Sequence, residues 1–156
     1  MAWARSLGVV KLADGFAQAV MEELDFRVEA RNIAAVAGAV GSPQGVRVPA
    51  VYASLSTSRV LVMERFDGVS VRCAAHLPEA QGLDRAALAR MLLNTVLRQI
   101  LVEGTFHADL HPGNVLVLRG GQLGLIDFGS VGRLDPIERS ALSYVLIVIQ
   151  RRNVPI

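Results

Sequence analysis

At 156 residues the chain has room for one domain and one buried core, and it is short for a two-lobed enzyme. Sixteen basic residues face fourteen acidic ones, and the arginines at 5, 27, 31, 47, 59 and 65 are scattered without aromatic interleaving, which argues against a nucleic-acid surface. The lone Cys73 excludes an internal disulfide and points to a reducing compartment, with the thiol expected to be small and buried.

The start, MAWARSLGVVKLADG, has no long apolar stretch of the secretory kind. From Asp14 to about Gly38 the sequence predicts one long helix capped by Asp14, with Phe16, Val20, Leu24 and Val28 at four-residue steps. On that helix Glu22, Asp25 and Glu29 would share one face, a like-charge stripe costing roughly 0.2 to 0.5 kcal/mol per pair. Something cationic is therefore expected opposite it. Glu23 is spaced to pair with Arg27 on a solvated face.

"GSPQG" (41 to 45) breaks the helix, and "VRVPAVYASLS" and "RVLVMERF" read as two strands joined by the turn "STS". After "DGVS" and an irregular stretch with His76 and Pro78, Asp84 is placed to cap a second helix running to about Glu103. Its apolar residues, from Leu88 to Leu101, cover most of the circumference, so burial on nearly every side is expected. A loop, a strand (Val115 to Leu118), a Gly120-Gly121 turn and a second strand (Leu123 to Ile126) follow. A last helix is predicted from about Pro136 to Arg151. It contains the run "ALSYVLIVI", well short of the ~20 apolar residues that span a bilayer.

Polar chemistry concentrates in "FHADLHPGNVLVLRGGQLGLIDFG" (Phe106 to Gly129). Asp109, Asn114 and Asp127 all bear oxygen, the donor a hard cation such as Mg2+ selects. The strand-turn-strand between Asn114 and Asp127 brings its two ends together, so an amide oxygen and a carboxylate meet at one point. Magnesium held there can bridge nucleotide phosphates, while Asp109 is free to accept a hydroxyl proton. Pro112 and Gly113 stiffen and turn the loop.

"HADLHPGN" has the spacing of a protein-kinase catalytic loop, with His107, Asp109 and Asn114 in place, and "DFG" at 127 to 129 is the metal-binding motif expected after it. "LVMERFDG" is similar to a kinase hinge strand. That likeness puts Met63 beside the adenine pocket and gives the backbones of Glu64 and Phe66 to adenine. "EELDFRVEARN" (22 to 32), "LSTSRVLVMERFDGVS", "FHADLHPGN" and "DFGSVGRLD" together resemble the UbiB/AarF family of atypical kinases, from about Asp14 to Asn153. The resemblance implies a partial α+β protein-kinase-like fold, with about 1 to 68 as the remnant of the N-lobe and hinge and about 69 to 156 as the start of the C-lobe.

It also implies ATP and Mg2+ as cofactors and ATPase or small-molecule phosphotransferase chemistry tied to ubiquinone or related quinone-lipid metabolism. The expected partners are the nucleotide, quinone lipid and membrane-associated biosynthetic proteins, with a cytoplasmic location at the inner face of a membrane. Glu29 takes the place of the helix glutamate that pairs with a nucleotide-binding lysine, and Glu23 and Asp25 match the acidic signature of the family, thought to face its N-terminal extension. Asp109 is expected to act as base, Asn114 and Asp127 to hold magnesium, and His107 to brace the loop.

The family's Lys-x-Gly-Gln extension and lysine strand have no counterpart in the sequence, whose one lysine, Lys11, reads as a surface residue leading into the first helix. The chain is therefore expected to be a fragment with weak nucleotide affinity. Three other readings are open. One is an inactive remnant or interaction module. A second is an aminoglycoside-phosphotransferase-like enzyme. The third is a metallohydrolase with zinc on His107, Asp109 and His111, against which Pro112 and Gly113 argue because they break the helix that spacing suits.

Overall fold

The computed structural model describes residues 12–13, 15–16, 25–41, 45–74 and 84–152. Asp14, Glu22, Glu23, Lys11 and His76 lie outside them, so the expected Asp14 cap and any pairing by Glu23 do too.

Helix α1 spans Phe26–Val40. A helix running unbroken from Asp14 is not what forms, because Asp25 is extended (φ −109°, ψ 95°) and caps α1 by accepting from the Arg27 N–H. The carboxylate stripe is broken there. Asp25 also takes the Arg27 guanidinium, Nη2 to Oδ2 at 2.7 Å and Nε to Oδ1 at 2.9 Å, so a cation two residues along engages this carboxylate. Ile33 and Val36 face inward, and Gly41 ends the helix at φ 72°, a conformation glycine adopts freely.

Strand β1 is only Val46–Arg47. The two long strands expected around "STS" do not form: their segments touch at one antiparallel bridge, Val51 to Met63, supported by Tyr52 N–H to Val62 O at 2.9 Å and Glu64 N–H to Ala50 O at 2.7 Å. The cause is local. Residues Ala53–Leu55 coil into a 3-10 turn, and the Ser56 hydroxyl accepts the Val62 N–H at 3.0 Å, replacing a ladder carbonyl. Strand β2, Gly68–Ser70, arises from "DGVS", where no strand was expected. The short helix α2, Val71–Ala74, carries Cys73, which is exposed instead of buried because this turn packs at the surface.

Helix α3, Arg85–Arg98, is capped by Asp84 accepting from the Ala87 N–H at 2.9 Å. It runs on as a π-helix, Gln99–Glu103, and stops at Gly104, φ 71°. The expected burial on nearly every side is not observed. Leu88, Met91 and Leu92 pack on the core, whereas Leu93 is 56% and Leu97 37% exposed, because the core reaches only one flank of the helix.

Strands β3 (Thr105–His107), β4 (Val115–Leu118), β5 (Leu123–Leu125) and β6 (Val131–Arg133) and helix α4 (Pro136–Arg152) complete the order. One sheet runs β1-β5-β4-β2, with β1 parallel to β5 and the other pairs antiparallel; β3 and β6 form a separate antiparallel ribbon. Gly120 and Gly121, at φ 79° and 77°, close the β4–β5 hairpin in the left-handed region that a side chain would resist. Ile33, Val36, Val46, Val115, Leu123, Leu125 and Phe128 make the core between α1 and the sheet. No helix among the described residues is long and apolar enough to cross a membrane.

The hydrogen bonds from the Arg27 side chain, then from its backbone, hold the Asp25 carboxyl down at about 2 against an ordinary 3.8. A depressed carboxylate stabilises the fold above its unfolded value, and that contribution is lost as pH falls from about 3.8 through about 2. The Asp25 carboxyl carbon, followed by NMR, should titrate near the lower value and move back toward the ordinary one in Arg27→Ala.

Candidate active site

Two loops meet at the open end of the β4–β5 hairpin. Residues 108 to 114 leave β3 and enter β4; residues 126 to 130 leave β5 and enter β6. The last ladder pair is Val115 with Leu125, and one step further the Asn114 carbonyl accepts the Ile126 N–H at 2.9 Å. Asn114 and Asp127 therefore leave neighbouring backbone positions of one ribbon. A second tie, Ala108 N–H to Ser130 O at 3.1 Å, holds the loops together on the β3–β6 side.

His107 organises this junction from within. Its ring, buried at 3% exposure, accepts the Asp109 N–H on Nδ1 at 3.2 Å and has Nε2 at 3.3 Å from the Ile126 carbonyl, which assigns the proton to Nε2. The imidazole thus bridges both loops, and it stacks tilted on Phe128 with centroids 5.1 Å apart. Its own N–H donates to Gln99 Oε1 at 3.1 Å. Gln99 is fully buried where the π-helix begins. With both ring nitrogens engaged and His111 Nδ1 accepting the Gly113 N–H at 3.0 Å, the zinc set is not assembled, and no cluster of three metal-binding side chains occurs among the described residues.

Asn114 is buried, and its amide N–H donates to the Asp109 carbonyl at 3.1 Å. That bond engages the nitrogen end and makes the amide oxygen the end that could meet a cation. Ser70 Oγ pins the loop tip by donating to the Pro112 carbonyl at 2.8 Å. Asp109 keeps its carboxylate in solvent, with 57% of its side chain exposed and His111 Nε2 3.9 Å from Oδ2.

Asp127 is exposed and holds φ 62°, alone among the described non-glycine residues in the left-handed region. The Gly129 N–H donates to its Oδ1 at 3.3 Å. Next to it Phe128 turns inward to complete burial, worth roughly 1.5 to 3 kcal/mol. The exposed Asp127 and buried Asn114 offer the oxygen donors that magnesium prefers.

Glu29 reaches this end of the molecule from α1, accepting the Phe128 N–H on Oε1 at 3.1 Å. Met63 packs against the core. Glu64 spends its N–H on Ala50, so the group its backbone can still offer to adenine is the carbonyl; its side chain is gripped by Arg47 at 2.5 Å. The Arg47 guanidinium also lies over the Phe66 ring, 5.0 Å from the centroid. Sequence reasoning missed Asn32, Arg47, Gln99 and Arg133. Asn32 left one usable signal, a polar residue beside Ile33 on a helix whose other buried residues, Ile33, Val36 and Ala39, are apolar.

A helix carboxylate on the backbone of a DFG motif, a HADLHPGN loop and a hairpin joining the two define a protein-kinase-like site on a mixed α+β fold. The chain belongs to the ABC1 atypical kinase-like domain family, whose model matches residues 2–155. It is 41% identical over 150 residues to the uncharacterized protein Rv0647c of Mycobacterium tuberculosis (strain ATCC 25618 / H37Rv), covering 92% of this chain and 30% of that one. It is 35% identical over 131 residues to ACTIVITY OF BC1 COMPLEX KINASE 1, chloroplastic, of Arabidopsis thaliana, covering 84% of this chain and 19% of that one. Among solved structures it is similar to Rv3197 of Mycobacterium tuberculosis in complex with erythromycin, with TM-score 0.57, 32% identity and coverage of 81% of this chain and 30% of that one. The chain thus spans less than a third of each of these proteins.

His107→Leu should leave the Asp109 N–H and the Ile126 carbonyl without their partner and cost roughly 1 to 3 kcal/mol in chemical denaturation.

Proposed function

We propose that this chain is the catalytic-loop and metal-binding part of an ATP-dependent phosphotransferase or ATPase. The observation that carries the reading is the junction of Asn114 and Asp127 on one ribbon end, with Asp109 five residues before Asn114 on the loop that leads into it. Asn114 Oδ1 and the Asp127 carboxylate would hold Mg2+, which when bound neutralises the phosphate oxygens of ATP. Asp109 accepts the proton of the attacking hydroxyl or water on its exposed carboxylate, and the bond from its N–H to His107 holds the backbone that carries it. On the other side the Glu64 carbonyl and the Phe66 N–H receive adenine, on a segment stiffened by Arg47.

The substrate we assign is a small molecule of quinone-lipid metabolism, handled at a membrane face with membrane-associated biosynthetic proteins as partners. The support is the family likeness, together with a relative named for the activity of the bc1 complex. An interaction module without turnover is the competing reading. It is favoured by α4, where Tyr144 is 69% exposed and Val145, Ile147 and Ile149 are each about half exposed.

Isothermal titration with Mg·ATP should give binding weaker than micromolar that disappears in Asp127→Ala. Asp109→Asn should keep the affinity and lower turnover by about 10²- to 10⁴-fold. Nucleotide binding that survives Asp127→Ala unchanged overturns the metal assignment; binding without any turnover supports the interaction module.

A further inference from the structure

Phe128 is fully buried, and its backbone N–H and carbonyl lie outside every strand. One helix satisfies both. The N–H donates to Glu29 Oε1 at 3.1 Å, and the carbonyl accepts from Asn32 Nδ2 at 2.9 Å. Three residues apart, Glu29 and Asn32 lie on one side of α1. The two bonds hold consecutive peptide planes, Asp127–Phe128 by Glu29 and Phe128–Gly129 by Asn32.

The orientation of the Asn32 amide is itself determined. Its oxygen accepts from Arg133 Nη2 at 3.4 Å while its nitrogen faces the Phe128 carbonyl; reversed, it would set N–H against guanidinium and oxygen against oxygen. Asn32 is 7% exposed, so solvent offers little substitute for either partner.

The plane held by Asn32 has a second edge. Opposite the Phe128 carbonyl is the Gly129 N–H, which donates to Asp127 Oδ1 at 3.3 Å. A turn of that plane would move the donor that orients the carboxylate, and Asp127 already holds a left-handed φ that non-glycine residues keep only when their surroundings impose it.

We propose that Asn32 is a positioning residue for Asp127: by fixing the Phe128–Gly129 plane it aims the Asp127 carboxylate, and it passes movement of helix α1 to that carboxylate. This rests on the reading that Asp127 carries a metal-bound nucleotide. Arg133 extends the link to β6, so helix, metal loop and the following strand share one amide.

The test uses the 156-residue chain, wild type, Asn32→Ala and Asn32→Asp, with two readouts. Amide hydrogen exchange of Gly129, the N–H on the plane that Asn32 holds, needs no ligand. It should quicken about tenfold in both variants, the size of one net hydrogen bond, while amides of the β4–β5 hairpin keep their wild-type rates. Asp at this position keeps an oxygen for Arg133 but loses the N–H, so wild-type exchange in Asn32→Asp would assign the role to the Arg133 contact and overturn the proposal. Equal quickening across the hairpin would overturn it too, as general destabilisation.

Manganese–ADP binding, followed by electron paramagnetic resonance, should weaken about tenfold in both variants, with adenosine binding unchanged. Wild-type manganese–ADP affinity in the variants overturns the aiming of Asp127. If the wild type itself binds no manganese–ADP, the nucleotide reading fails and with it the aiming of a metal ligand, whereas the exchange rates still decide whether Asn32 holds the plane.

Discussion

The burial of Phe128 is the constraint on which the rest of the structure depends. Its ring fills the space between α1 and the β4–β5 hairpin and meets the His107 imidazole. Once that ring points inward, the chain on either side has few choices. Asp127 is turned outward in a left-handed conformation, and the polar groups of the Phe128 backbone, cut off from water, take their partners from the helix that covers them. A side chain chosen for packing thus sets the direction of a neighbour suited to chemistry.

The same economy runs through the catalytic loop. His107, Asn114 and Gln99 are polar and buried: His107 and Asn114 are joined to backbone of loops that no strand ladder supports, and Gln99 to the last residue of β3, where the catalytic loop begins. A buried polar side chain is costly without a partner, so each becomes a rigid brace where its partner exists. The outward carboxylates of Asp109 and Asp127 stand on this braced floor. Water reaches them, and a bound nucleotide would have to displace it. Asn114 alone belongs to both sets, its amide nitrogen bracing the loop and its oxygen assigned to the metal.

The β1–β5 pair connects the far side of the site to this floor. Val46 and Arg47 lie beside Leu123 and Gly124, two strand residues from the metal loop, and Arg47 holds Glu64 while covering Phe66. Gly124 lets the Phe66 ring approach: a Cβ at that position would fall 2.7 Å from its Cδ2. The segment assigned to adenine and the loop assigned to magnesium are therefore anchored to one strand.

Much of this was legible in the order of residues. The HADLHPGN and DFG spacings, the Asp84 cap, the glycine turn at 120 and 121 and the extent of α4 follow from local rules of capping, turn geometry and strand pairing, which act over a few residues. What local rules could not supply was competition between distant groups. The Ser56 hydroxyl displaced a ladder bond and shortened the hairpin around "STS"; Asp25 left the helix to cap it and took Arg27; the core reached one flank of α3 and left Leu93 in solvent. Asn32 with Phe128, 96 residues apart, and Arg133 with Asn32, 101 apart, leave no periodic trace. The sequence by itself determined which motifs place the chain in its family and which residues are assigned to the site, because motif spacing is a local property. Only the tertiary structure decided how they are held, because the partner of a buried polar group is whichever donor or acceptor the packing of the whole chain brings within about 3 Å.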